Sequence, residues 1–184
     1  PAALAAVQEL YNNELTTKEA ADRAPSLITA SGDQTAACEG AGIVIEAIPE
    51  KMADKQVLFQ ELDAILPADV PILSNTSGLP ITQIASLVER YPERTMTTHF
   101  WFPAHLVPLV EVVMWEKTDP EMAKEVRDLL AGWGKAPVIV KRDTPGQLGN
   151  RLLHAITREA INIVEIGLAS AEDVDTAIKN GLGI

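Results

Sequence analysis

The chain has 184 residues, 47% of them hydrophobic, which suffices for the core of one domain or of one domain plus part of a second. Its 26 acidic against 15 basic residues give a formal charge of -11, and no more than two Lys or Arg stand side by side, so a nucleic-acid backbone would be repelled by most of the surface. A single cysteine, Cys38, excludes an intrachain disulfide, three histidines without a cysteine cluster give no structural zinc pattern, and no apolar run reaches the length of a membrane span, so neither metal nor membrane is expected as a partner.

Ala2 to Tyr11, apolar at Leu4, Val7 and Leu10, reads as a helix, and Thr16 with Glu19 has capping-box spacing for a second short one. IVIEAI, residues 43 to 48, is a β-branched run suited to a strand covered on both faces. MADKQVLFQELDAI then repeats Met52, Val57, Leu58, Leu62 and Ile65 near helical spacing. PILSNT reads as a second strand, ITQIASLVE as a helix and TMTTHFWF as a third strand. Strand and helix alternate throughout, which predicts an α/β fold with a doubly wound, mostly parallel, Rossmann-like sheet.

After Pro103 and Pro108, LVEVVM reads as a strand close to the preceding one. Thr118 and Glu121 have capping-box spacing for PEMAKEVRDLLAGW, Gly134 suits a left-handed helix end, and APVIVKR is the last strand. From Gln147 to Leu168 the pattern changes to one long helix, apolar over more than one face and therefore expected to be covered by several neighbours or by a partner subunit. Ser170 and Asp173 cap a final helix that stops near Gly181. The boundary is placed at DTPG, with a sheet domain over 1-142 and the start of an all-helical one over 143-184. The chain opens at Pro1 within a helical segment and stops at GLGI, so an interior fragment is expected; with no export leader in view, the expected location is cytoplasmic.

In open parallel sheets ligands bind beyond the carboxyl ends of strands. Three polar clusters fall at such ends: Glu46 to Glu50 with Lys55, Asn75 to Ser77, and the turn after His99. His99 lies in the apolar-aromatic run THFWFP, where a neutral imidazole can take the proton of an alcohol whose carbon delivers hydride to a nicotinamide. Glu111 follows twelve residues later in LVEVV, and a return of the chain through PAHLVP would bring it beside His99. A histidine flanked by Phe and Trp is usually a hydrogen-bonded core residue, and Glu111 is equally an arginine's partner, so the residues alone leave both readings open. Asn75 and Ser77 suit a turn or a contact to a ribose hydroxyl or substrate oxygen. Asn150, a poor helix former at the start of the long helix, suits a helix-helix hydrogen bond or a donor reaching a substrate carbonyl. His105 and His154 read as structural.

HFWFPAHLVPLVEVV resembles the HFFNP and LVEV segment of the 3-hydroxyacyl-CoA dehydrogenases. VIEAIPE, SNTSGL, DTPGQLGNRLL and GLASAEDVDTAIKNGLG match the same family in order, together spanning residues 43 to 183. The resemblance implies an NAD-dependent oxidation of a 3-hydroxyacyl-CoA to the 3-keto product, in fatty-acid metabolism, by a homodimer. It implies His99 as general base, Glu111 as its orienting carboxylate, Ser77 and Asn150 as substrate contacts, and Glu50, Lys55 and Asn75 as lining the NAD site. The family's glycine-rich turn is absent from these residues. Three departures stand out: Phe102 replaces the Asn of HFFNP, Gly78 a Ser, and Gln147 the Phe of PGF. They leave open a small non-CoA 3-hydroxy acid such as carnitine or L-gulonate as substrate, or a noncatalytic crystallin-like relative.

Overall fold

The computed structural model describes residues 2–182. Contacts divide the chain into two compact units, one reaching Asp143 and the other starting at Thr144. The first unit is α/β, with a five-stranded sheet in the order β1 to β5. Its strands are β1 (Val44–Glu46), β2 (Ile72–Ser74), β3 (Thr95–Phe100), β4 (Leu109–Val113) and β5 (Ala136–Val140). Every neighbouring pair is parallel except β3 with β4, which is antiparallel.

The helices of this unit are α1 (Ala2–Asn12), α2 (Lys18–Arg23), α3 (Gln34–Cys38), α4 (Met52–Ile65), α5 (Ile81–Ile84) and α6 (Pro120–Gly132). Successive residues of a strand point to opposite faces, and β2 displays this directly. Ile72 joins one apolar cluster with Phe59 and Leu62 of α4 and Ile81 and Ile84 of α5, whereas Leu73 joins another with Ala123, Val126 and Leu130 of α6. Helices thus cover both faces, as the doubly wound reading requires.

Several sequence expectations shift by a residue or a face. Thr17, not Thr16, caps α2, accepting from the Ala20 N–H at 3.2 Å. Asp119, not Thr118, caps α6. Thr118 is committed elsewhere, its hydroxyl accepting from Trp115 N and donating to Thr95 O. On α4 the buried positions are Lys55, Phe59, Leu62 and Asp63, while Val57 and Ile65 lie exposed. Charges can occupy that inner face because each is paired, Lys55 with Glu46 and Asp63 with Arg94. ITQIASLVE forms only one helical turn, α5, followed by a 3-10 turn over Ala85–Leu87. Gly134 has φ +78° just past α6, the left-handed end expected there.

The second unit holds α7 (Gly149–Glu165) and α8 (Ala171–Ala177). Ser170 caps α8 reciprocally, accepting from Asp173 N at 3.1 Å and donating to the Asp173 carboxylate at 2.7 Å. The expectation that the long helix is enclosed does not hold within this unit. None of its residues is buried, because α8 is its principal partner there and two helices cover only one stripe of each other. Among the described residues no helix is long and apolar enough to cross a membrane, and no three metal-ligating side chains gather.

Candidate active site

β1, β2 and β3 run parallel, so Glu46, Ser74 and Phe100 end at one edge of the sheet. The polar side chains at this edge form one bonded layer. Glu46 accepts from Lys55 Nζ at 2.6 Å, from the Ser74 hydroxyl at 2.6 Å and from the Ile48 N–H at 2.7 Å. Asn75 N donates to Glu46 O, and the Asn75 side-chain oxygen accepts from Phe100 N at 2.9 Å, which ties the ends of β1, β2 and β3 together.

Lys55 is 1% exposed, and its ammonium also donates to Ile48 O at 3.2 Å and faces the Glu50 carboxylate at 3.3 Å. An ammonium has three protons, and these three acceptors account for them. Lys55 therefore addresses the surface through Glu50. That carboxylate accepts from the Thr76 hydroxyl and from Gly78 N, and its side chain keeps 45% exposure. Burial pushes the Glu50 carboxyl up, but the hydrogen bonds from Thr76 and Lys55, the lysine's charge and the Gly78 N–H outweigh it and hold the group below its ordinary value. The donor set suits a hydroxylated ligand. An ionised carboxylate, fixed from below and open above, can accept from sugar hydroxyls such as those of a dinucleotide. Ser77 lies exposed beside it on the same turn.

At the antiparallel joint, β3 and β4 pair with His99 directly opposite Glu111. Directly opposed residues share a face, so the side chains meet. His99 Nδ1 lies 2.8 Å from Glu111 Oε2, with Glu111 fully buried and the His99 side chain 8% exposed. A carboxylate can only accept, so the tautomer that bonds it donates from Nδ1 and leaves Nε2 as the ring's acceptor. The connection between the strands is held by its own bonds: Leu106 N and Val107 N donate to Pro103 O, and Lys135 Nζ donates to the carbonyls of Ala104 and Val107. Phe102, on that connection, is 93% exposed.

The first unit thus brings together six of the predicted residues: Glu50, Lys55, Asn75, Ser77, His99 and Glu111. Asn150 lies in the second unit, on the first turn of α7. Sequence reasoning passed over Thr76, which holds Glu50, and Trp101, whose indole N–H donates to Glu111 Oε2 at 2.9 Å. The signal for Trp101 was its place two residues after His99, on the same strand face.

Known proteins are similar to this chain in sequence and in fold. The NAD binding domain of 3-hydroxyacyl-CoA dehydrogenase matches residues 2–144, and the C-terminal domain of 3-hydroxyacyl-CoA dehydrogenase matches residues 146–184. The 5-formyl-3-hydroxy-2-methylpyridine 4-carboxylate 5-dehydrogenase of Mesorhizobium japonicum is 40% identical over 147 residues, covering 80% of this chain and 47% of its own length. The L-carnitine dehydrogenase of the same organism is 32% identical over 144 residues, covering 78% and 40%. A crystal structure of the pyridine-carboxylate 5-dehydrogenase, described as an NAD+ dependent dismutase, matches with TM-score 0.74 at 39% identity, covering 83% of this chain and 49% of that one. The chain spans about half the length of the curated relatives it matches. These relatives correct one expectation, that the partner is a CoA thioester: a pyridine carboxylate and carnitine are small acids without CoA.

Proposed function

The chain belongs to the 3-hydroxyacyl-CoA dehydrogenase family, and on that premise we propose that it carries the proton-transfer site of an NAD-dependent dehydrogenase acting on a small, non-CoA 3-hydroxy acid such as carnitine or L-gulonate. The carrying observation is the 2.8 Å contact between His99 Nδ1 and the buried Glu111 carboxylate. His99 takes the hydroxyl proton at Nε2, and Glu111 stabilises the imidazolium so formed. Held at Glu50, NAD would supply the acceptor for the hydride that leaves the carbon bearing that hydroxyl. Glu50 holds cofactor hydroxyls, with Lys55 and Thr76 fixing its carboxylate, while Asn75 braces the strand ends beneath. Ser77 orients the substrate oxygen. In this reading residues 1–142 serve the cofactor and residues 143–184 begin the helical domain. A noncatalytic relative would have no need of an assembled base and carboxylate.

A second reading is favoured by the 40% identical relative, whose named substrate bears a formyl group. The hydrate of an aldehyde presents the same hydrogen, carbon and hydroxyl to a base and a hydride acceptor as a secondary alcohol does. The whole protein should be screened for NADH formation with carnitine, L-gulonate, 3-hydroxybutyrate, a formylpyridine carboxylate and 3-hydroxybutyryl-CoA. At least one free acid should react, and His99→Ala should abolish that turnover while leaving NAD affinity intact. Turnover with the CoA thioester alone overturns the substrate assignment. Substantial turnover by His99→Ala overturns the assignment of the base.

A further inference from the structure

The oxygen of Glu111 that meets His99 has a second donor. Trp101 Nε1 lies 2.9 Å from Oε2, beside His99 Nδ1 at 2.8 Å. Strand geometry explains the convergence. His99 and Trp101 are two residues apart and leave the same face, while Glu111, paired with His99, is diagonal to Trp101 and within reach of a long aromatic side chain. The indole also stands beside the imidazole, with centroids 5.9 Å apart and planes inclined at 51°. A phenylalanine, as in the HFFNP segment, could fill that space but has no proton to donate.

We propose that Trp101 is a positioning residue of the proton-transfer pair: its indole N–H pins the Glu111 carboxylate in the orientation that keeps His99 Nδ1 a donor and leaves Nε2 to take the hydroxyl proton. This rests on the reading of His99 as the base. A glutamate side chain has three torsions, and each donor that reaches its carboxylate from a direction of its own narrows the orientations the group can take. Two donors meet at the same oxygen, the imidazole from His99 on β3 and the indole from Trp101 one residue past the end of that strand, so carboxylate and imidazole are held by one short stretch of chain. Trp101 acts through Glu111 and does not itself exchange a proton in the reaction.

Two measurements on the whole protein test this. Trp101→Phe keeps an aromatic ring and removes the N–H; kcat should fall about tenfold, with the KM values and the melting temperature unchanged. The second needs no change at Trp101. In 1H-15N spectra of the indoles, Glu111→Gln should move one of the three tryptophan N–H resonances upfield, as a donor loses a charged acceptor, and leave the other two in place. A kcat within about twofold of the parent in Trp101→Phe overturns the inference. So does a lowered melting temperature with kcat unchanged, which would mark a packing role. If Trp101→Phe fails to fold, the indole spectra decide, and no resonance responding to Glu111→Gln overturns the proposal. Loss of turnover in His99→Ala beside normal kcat in Trp101→Phe sinks this inference alone, whereas retained turnover in His99→Ala sinks the reading beneath it.

Discussion

Glu111→Gln removes one negative charge from the base of the site and almost none of its volume. With 2.8 Å between His99 Nδ1 and the carboxylate oxygen, the attraction felt by an imidazolium is about 6 kcal/mol at an effective dielectric of 20. The substituted amide still offers a carbonyl oxygen to the ring, and the 8% of the His99 side chain that is exposed lets solvent share the new charge. Roughly half of the attraction, about 3 to 4 kcal/mol, should therefore be lost where the imidazolium forms. That corresponds to a fall in kcat of about 10² to 10³. Gln keeps the shape of Glu, and the charge it removes counts where the imidazolium forms, so the KM values should stay close to those of the parent. Initial rates from NADH absorbance with the best free acid of the screen measure both constants, and urea unfolding checks that the fold is kept. A Glu111→Gln enzyme with kcat within about tenfold of the parent would refute the electrostatic argument and leave Glu111 a structural partner of the histidine.

Lys55→Met should destabilise the first unit by about 3 to 5 kcal/mol in urea unfolding, because the fully buried Glu46 carboxylate loses its ammonium; adding Glu46→Gln should restore most of the loss. Glu50 is held below its ordinary value of 4.5, so its contribution to stability is complete above that pH and fades as pH falls through the lower folded value. Because the side chain is 45% exposed, Glu50→Gln should cost under about 1 kcal/mol at neutral pH, and the gap from the parent should close in unfolding curves taken below pH 4.5. Gly134→Ala should cost about 1 kcal/mol by thermal unfolding, entirely through the backbone, since φ is +78° and a Cβ would meet nothing within 4 Å.

The α/β architecture was legible because most strands are compact β-branched runs and the stretches between them repeat apolar residues near helical spacing. Glu111 could be placed beside His99 from the proline-bounded return between them, but the register that sets them directly opposite could not. It depends on the ladder Thr97 to Phe100 against Val110 to Val113, in which neither strand alternates polar and apolar residues cleanly. On α4 the apolar spacing misled. Val57 and Ile65 match a stripe, yet the inner face is built on Lys55 and Asp63, whose burial depends on partners 9 and 31 residues away in the chain. No local pattern announces a charge that is neutralised from a distance. Thr118 illustrates the same limit: its spacing to Glu121 fits a cap, but Trp115 and Thr95 take its hydroxyl.

The placement of the site follows from the one change of direction in the sheet. If β4 ran parallel to β3, a crossover would have to intervene, and the short return through Pro103 and Pro108 could not supply it. The antiparallel pairing lets the chain turn back at once, setting Glu111 opposite His99 one residue before the end of β3. That end lies on the same edge as the ends of β1 and β2, where Glu46, Asn75 and Lys55 have already locked the backbone and aimed Glu50 outward. A parallel sheet alone would gather groups that grip a cofactor but would bring no carboxylate across from a base. The reversed strand adds that carboxylate, so the His99–Glu111 pair and the outward Glu50 carboxylate share one edge because a single strand pair breaks the parallel order.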